Sequence, residues 1–196
     1  MPRKERLVFD RSYYHVFTRG NDRKQIFKKE ADYQGFLSII RKYLEKFHVS
    51  ITNYCLMPNH LHLLIFIEIG NELSNFMKAV LQVYANYHRK EYGSTGFLYQ
   101  NRFKSLLIKE ESYLIECARY IERNPLRAGL VNDIFAWPWS SFSYYAKGIK
   151  DGIIIKENPA FMALANTSRD RKEAYIRYIL QERPYEQILD KEFGMK

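Results

Sequence analysis

Two histidines one residue apart, His60 and His62, open the stretch His60-Leu61-His62-Leu63-Leu64-Ile65-Phe66-Ile67, which is rich in β-favouring residues. Side chains alternate between the two faces of a strand, so both imidazoles leave the same face, close enough to grip one metal ion. The same pair could equally be polar residues on a solvated strand face. A metal site would need a further ligand and a reactive group, and the segment Cys117-Ala118-Arg119-Tyr120-Ile121-Glu122-Arg123-Asn124-Pro125 carries candidates for both. On a helix Tyr120 and Asn124 overlie one another, with Tyr113, Glu116 and Cys117 as near neighbours. Asn124 can offer a carbonyl oxygen, and two imidazoles plus one amide oxygen make a neutral set suited to Mg²⁺ or Mn²⁺. Neutral ligands leave the ion its full positive charge, which favours a phosphodiester.

A tyrosine hydroxyl beside such an ion can attack phosphorus and form a covalent intermediate. Its unperturbed pKa of about 10 means that local positive charge or a base must assist. Packing is the competing reading for Tyr120, since the chain has 16 tyrosines and most must fill cores or cover surface. Glu116 and Glu122 read as ordinary solvated helix charges.

The elements that must position these groups follow from periodicity. Ser12 to Thr18 reads as a first strand, ended by the turn-like Arg19-Gly20-Asn21-Asp22 and a basic loop. Tyr33, Phe36, Leu37, Ile40, Tyr43, Leu44 and Phe47 recur at spacings of three and four, an amphipathic helix ending near Lys46. Val49 to Leu56 is a second strand and Met57-Pro58-Asn59 a tight link. The third strand, His60 to Ile67, is then antiparallel to the second. Its His60, His62, Leu64 and Phe66 share one face, and Leu61, Leu63, Ile65 and Ile67 the other.

A helix capped by Asn71 or Ser74 follows, closed by Gly93-Ser94-Thr95-Gly96; Arg102 to Ile108 is a fourth strand. This order predicts an α+β fold, a ferredoxin-like split βαβ sheet with helices on one face. A third helix, about Glu111 to Arg123, would carry the tyrosine onto the free face, and Asn124-Pro125 would terminate it. Residues 126 to 160 read as irregular, Asp170 to Glu182 as a last helix, and 183 to 196 as a short accessory segment. The domain division is 1–145 for the catalytic unit and 146–196 for an accessory or DNA-contacting C-terminal extension.

At 196 residues the chain supports one substantial core. Its formal charge of +9 favours an anionic partner, nucleic acid first. Nine of the basic residues fall within residues 1 to 29, among them Arg3, Lys4, Arg6, Arg19 and Arg23, against three acids. Cys55 and Cys117 sit in apolar periodic segments and read as buried free thiols. Without an apolar run of membrane-spanning length, or one behind Met1-Pro2-Arg3, the expectation is a soluble, cytoplasmic protein, nucleoid-associated where its anionic partner is DNA.

Several ordered segments together give a specific resemblance. They are His15-Val16-Phe17-Thr18-Arg19-Gly20, Met57-Pro58-Asn59-His60-Leu61-His62, Phe97-Leu98-Tyr99-Gln100-Asn101-Arg102-Phe103-Lys104-Ser105 and Tyr120-Ile121-Glu122-Arg123-Asn124-Pro125-Leu126-Arg127-Ala128-Gly129-Leu130-Val131, with Trp137-Pro138-Trp139-Ser140-Ser141 beyond. From about residue 8 to 145 the chain resembles the REP-associated tyrosine transposases, relatives of the single-tyrosine transposases with a histidine-hydrophobic-histidine motif. The resemblance implies that His60 and His62 are metal ligands, that Tyr120 is the nucleophile and that Asn124 is the third ligand, the ion being Mg²⁺ or Mn²⁺. His15 matches the family's first-strand motif and reads as structural or substrate-contacting rather than as a ligand.

The implied activity is metal-dependent cleavage and strand transfer of single-stranded DNA at a palindromic hairpin, through a 5′-phosphotyrosine, by a monomer or homodimer. Arg19, Arg23, Lys24, Arg102 and Lys104 are the candidate phosphate contacts, while Arg119, Arg123 and Arg127 add positive potential around the tyrosine helix. Arg127 could instead neutralise the region of Glu122. Tyr13, Tyr14, Phe97, Tyr99 and Phe103 are candidates to stack on unpaired bases, whereas Trp137 and Trp139 read as a packing latch. Two other classes stay open: a hairpin-binding architectural or regulatory protein without catalysis, and a metal-dependent RNA nuclease.

Overall fold

A computed structural model describes residues 7–183. Arg3, Lys4 and Arg6 of the basic N-terminal cluster, and the accessory segment from residue 184 onward, lie outside the described residues. The chain runs through β1 (Ser12–Arg19), α1 (Glu30–Leu44), β2 (Val49–Met57), β3 (His60–Ile67), α2 (Glu72–Tyr92) and β4 (Lys104–Ile108). The four strands form one antiparallel sheet in the order β2-β3-β1-β4, the split βαβ arrangement expected. Arg102 falls just before β4, in the segment that leads into it.

Both faces of the sheet are buried. Leu61, Leu63, Ile65 and Ile67 of β3 join Phe36, Leu37 and Ile40 of α1 and Phe76, Met77 and Val80 of α2 in the main core. On the opposite face Cys55, Met57 and Leu64 pack against Leu114, Tyr120 and Ile121 of α3 (Ser112–Glu122). The tyrosine helix therefore covers the histidine face, as its place in the order suggests.

Pro58 and Asn59 form the whole turn between β2 and β3, since Met57 pairs with His60. The basic loop after β1 is clamped onto this turn. The Pro58 carbonyl accepts from Ile26 N and Phe27 N at 2.7 and 2.9 Å, and Asn59 O accepts from Gly20 N at 2.8 Å. Gly20 permits the approach, because a Cβ there would stand 2.1 Å from the carbonyl oxygen of Lys24.

Three features depart from the sequence expectation. Helical structure does not stop at Asn124-Pro125: α4 (Asn124–Arg127) restarts at once, with Pro125 in its first turn, where a missing N–H costs nothing. The stretch read as irregular contains α5 (Phe142–Lys147) and α6 (Pro159–Met162), too short to show periodicity. Finally, α5 crosses the boundary drawn at residue 145, and Phe161 with Tyr175 and Ile179 of α7 (Ser168–Leu180) enters the main core. Residues 146 to 183 are thus built into the same core rather than appended to it. Trp137 and Trp139 do latch: Trp139 stacks on Tyr33 at 4.7 Å, and Trp137 Nε1 donates to Leu56 O at 3.2 Å.

Glu122, expected in solvent, is fully buried and ties four elements together. Its carboxylate accepts from Asn53 Nδ2 (2.9 Å), Tyr175 OH (2.8 Å) and Ser141 Oγ, while Asn53 Oδ1 accepts from Asn158 Nδ2 at 2.9 Å. A bulge at Ile51/Asn53 in β2 delivers Asn53 to this cluster. Burial pushes the Glu122 carboxyl up to about 7 against the opposing pull of its three donors.

Between the ordinary value of 4.5 and about 7, the folded chain holds a proton that the unfolded chain has released. The Glu122 contribution to stability is therefore full below that window and falls as pH rises through it, by about 3 kcal/mol in all. His15 and His62, held neutral by burial, act with the opposite sign below pH 6.5, so the effect is read as a difference. Urea unfolding at several pH values should show the stability of Glu122→Gln gaining on the unsubstituted protein from pH 4.5 to 7. A pH-independent gap would refute the carboxyl's raised pKa.

Candidate active site

The strand register assembles one face from residues far apart in sequence. Cys55, His62, Phe17 and Lys104 stand side by side across β2, β3, β1 and β4, and Met57, His60 and Arg19 form the adjacent row. Directly opposed residues share a face, so Arg19 and Lys104 flank the two histidines. Lys104 Nζ lies 5.6 Å from the Phe17 ring centroid, and Arg19 donates from Nε and Nη2 to Gln100 Oε1 at 2.9 and 2.7 Å. Phe17, Arg19, Gln100, Arg102 and Lys104 line a small cleft of about 110 Å³ at this corner.

The His60 and His62 ring centroids are 5.1 Å apart with planes at 89°, near enough for both Nε2 atoms to reach one ion. The Nδ1 atom of each ring is engaged. His60 Nδ1 is 2.7 Å from Asn59 Oδ1, and the Asn59 amide is oriented by donating Nδ2 to Arg23 O at 3.3 Å. A carbonyl oxygen can only accept, so the neutral form of His60 has its proton on Nδ1 and its lone pair on Nε2. His62 Nδ1 lies 2.9 Å from His15 Nε2. His62 Nε2 is buried and has no hydrogen-bond partner, a lone nitrogen that a metal ion would satisfy. Burial, then the neighbouring His15 and His60, then Arg127 hold His62 well below the ordinary imidazole range; burial pushes His15 down to about 3. Neutral imidazole is the ligating form, so the pair fits a divalent cation.

Tyr120 stands against the same histidines of its own chain. Its ring meets His62 edge-on at 5.6 Å and His15 at 5.8 Å, and it is 1% exposed. The Arg127 guanidinium lies 5.1 Å from the Tyr120 ring centroid. One turn on, Asn124 is 7% exposed. It donates Nδ2 to Tyr120 O at 2.7 Å and to Ile121 O at 3.2 Å, which turns Oδ1 away from those carbonyls. Among the described residues no group of three His, Cys, Asp or Glu is arranged to hold a metal ion, so a third protein ligand here would have to be of another type, such as Asn124. A cavity of about 620 Å³ between β4 and α3 is lined by Leu106, Ile108, Tyr113, Cys117, His15 and Tyr120.

Two of the arginines expected to add positive potential for DNA around the tyrosine helix are withdrawn from the surface. Arg119 is fully buried, with Nε on Glu116 at 3.2 Å and Nη1 donating to Gln181 O at 2.6 Å. Arg123 is buried too, and its Nη1 donates to the carbonyls of Ile179 and Leu180 at 3.2 and 2.8 Å. Both cap the C-terminal end of α7, where carbonyls lack helical partners. Arg127 approaches Tyr120 instead of Glu122, whose bonds go to Asn53, Ser141 and Tyr175. Arg23 and Arg102 are exposed.

Sequence reasoning passed over Asn59 and Gln100, which orient His60 and Arg19. Asn59 was legible as a turn residue only; its neighbour His60 was the available signal. Of the two cysteines Cys55 is buried and Cys117 half-buried, both as free thiols.

The family model described as Transposase IS200 like matches residues 8–124. A Haemophilus influenzae protein provisionally named as a REP-associated tyrosine transposase is 27% identical over 118 residues, 55% of this chain and 66% of the relative's length. A solved structure of a REP-associated tyrosine transposase bound to a REP hairpin superposes with a TM-score of 0.63 at 20% identity, covering 80% of this chain and 93% of that one. At that identity the likeness establishes the fold. No helix among the described residues is long and apolar enough to cross a membrane.

Proposed function

Since the chain belongs to the IS200-like transposase family, we propose that it cuts and rejoins single-stranded DNA at hairpin-associated sites through a 5′-phosphotyrosine on Tyr120. The observation that carries this reading is the Tyr120 ring, 5.6 Å from His62 of the same chain on a face rimmed by Arg19 and Lys104. In this reading tyrosine and histidine pair work in cis.

His60 and His62, with Asn124 as third ligand, would hold Mg²⁺ or Mn²⁺. Such an ion, when bound, would supply Lewis-acid polarisation of a phosphodiester oxygen. Arg19 and Lys104 bind the flanking phosphates, with Arg23 and Arg102 extending the basic rim. Arg127 places a positive charge beside the Tyr120 ring, favouring phenolate character as the oxygen attacks. The Tyr120 O–P bond forms as the P–O3′ bond breaks; the phenolic proton passes to solvent and the released 3′ oxygen takes one up. The same 3′-OH, or one from another strand, reverses the step and rejoins DNA. The bond energy is conserved in the protein linkage, so no ATP is consumed. One nucleophilic tyrosine per active site makes complete transposition the work of two subunits or of sequential reactions.

The hairpin bound by the solved relative points to the same class of ligand here. A groove of about 630 Å³ between α2 and the segment before β4, lined by Lys78, Arg89, Phe97, Gln100 and Arg102, continues from the basic corner and suits an unpaired strand. Phe97 is exposed and available to stack on a base. Replacing Arg102 and Lys104 together by glutamine should weaken hairpin binding and lower the slope of log affinity against log salt by about 2, as two lost phosphate contacts demand. Fluorescence anisotropy across a salt series measures this; an unchanged slope would place the DNA elsewhere.

Incubating the protein with labelled DNA and RNA hairpins and Mn²⁺, then running denaturing gels, tests the whole reading. A labelled protein band with DNA is expected. Its absence with active controls would overturn the proposal, and cleavage of RNA alone without a protein adduct would favour an RNA nuclease. The near-complete burial of Tyr120 favours, as a second reading, a hairpin-binding protein that does not cleave; hairpin binding without any adduct would select it.

A further inference from the structure

His15 sits in the middle of β1, two residues before Phe17, which pairs with His62. Its ring stacks on His62 with centroids 5.1 Å apart and planes at 25°, and Nε2 is 2.9 Å from His62 Nδ1. Two imidazoles joined this way share one proton between the facing nitrogens, and there are two ways to place it. If His15 donates, the neutral His62 ring has its own proton on Nε2. That nitrogen is buried and has no acceptor, so an N–H there would be stranded, at a cost of about 1–3 kcal/mol. If His62 donates, Nε2 bears a lone pair directed into the site instead.

We infer that His15 is a positioning residue: it accepts the Nδ1–H of His62, and so fixes the tautomer and ring orientation that present the Nε2 lone pair. This rests on the reading of His62 as a ligand given above. His60 provides the parallel, since Asn59 Oδ1 takes its Nδ1–H in the same way. The two imidazoles of the motif are thus oriented by two different neutral acceptors, one from the turn and one from β1.

The choice of acceptor has a chemical consequence. Ligating histidines commonly donate their second nitrogen to a carboxylate or a backbone carbonyl. A carboxylate at the place of His15 would put a negative charge behind the ligand, raising its basicity but opposing an incoming phosphodiester. An imidazole supplies the hydrogen bond without the charge. The nearby acid, Glu122, is bound by Asn53, Ser141 and Tyr175 and does not serve His62. His15 therefore completes an inner set made entirely of neutral groups, His60, His62, Asn59 and Asn124.

Long-range ¹H–¹⁵N spectra of the full chain, labelled at histidine and free of metal, read the tautomers directly. The expected result is a proton on Nδ1 of His62 and an unprotonated Nε2 on His15. In His15→Leu the preference at His62 should be lost and Mn²⁺ affinity, measured by calorimetry, should fall by about 10–100-fold. His15→Gln, which can still accept through Oε1, should recover most of it. A wild-type His62 protonated on Nε2, or a folded His15→Leu protein binding Mn²⁺ as the wild type does, would overturn the inference. Because the spectra need no metal, they decide the tautomer even if His15→Leu fails to fold. Mn²⁺ binding unaffected by His62→Ala would instead refute the ligand reading, and is thereby distinguished from failure of the tautomer assignment.

Discussion

Tyr120→Phe should bind hairpin DNA as tightly as the unsubstituted protein and yield no covalent adduct. The substitution deletes one oxygen and leaves the ring, whose edge-on contacts with His15 and His62 and whose neighbour Arg127 hold it in place. With so little exposure the ring keeps its packing, so any loss of stability should not exceed that of a single hydroxyl group, about 1 kcal/mol. Phenylalanine has no atom that can bond phosphorus. The rate of adduct formation should therefore drop by about 10⁴-fold or more, to the gel background. In the proposed reading DNA affinity rests on Arg19, Lys104 and the exposed groove, none of which the substitution touches. The decisive comparison pairs anisotropy with a denaturing gel on the same preparation. Undiminished adduct in Tyr120→Phe would assign the nucleophile to another of the tyrosines, and lost binding would show that the Tyr120 hydroxyl also supports the buried packing beneath the DNA surface.

The sequence carried the sheet and the pairing of its chemistry because both follow from short-range periodicity. Alternation along His60 to Ile67 separates two faces whatever the tertiary context, and the bounds of β3 coincide with those expected. The spacing of Tyr120 and Asn124 put them one turn apart, and the structure packs Tyr120 against the histidine face of the sheet. What the sequence concealed depends on long-range partners. Glu122 looks like a solvated helix charge, and Arg119 and Arg123 like surface charge for DNA, because nothing local reveals that α7 will bring carbonyls to the two arginines and Tyr175 to the glutamate. Asn53 reaches Glu122 through a β-bulge, a register shift with no signature in the pattern of hydrophobic residues. The link between His15 and His62 is similar: the residues are 47 apart, and only the pairing of β1 with β3 makes them neighbours.

Removing the imidazoles tests the other half of the chemistry, and the two positions should behave differently in the folded state. His60 is half-buried at the strand's start, so His60→Ala exposes little and should cost about 1 kcal/mol or less of stability. His62 is fully buried between His15, Phe17 and Tyr120. His62→Ala leaves a cavity and strips His15 Nε2 of the partner at 2.9 Å, which together should cost about 2–4 kcal/mol. In cleavage the order disappears. With either imidazole gone the ion loses one of two nitrogen ligands, and Mn²⁺-dependent adduct formation should fall by about 10³-fold or more in both variants. Metal-free hairpin binding should persist, since the basic rim does not pass through the histidines. Activity must be compared at matched folded fraction, taken from urea titration, because only His62→Ala is expected to be destabilised strongly. Full cleavage by a folded His60→Ala protein would remove His60 from the metal site and leave Asn59 holding a ring with no chemical task.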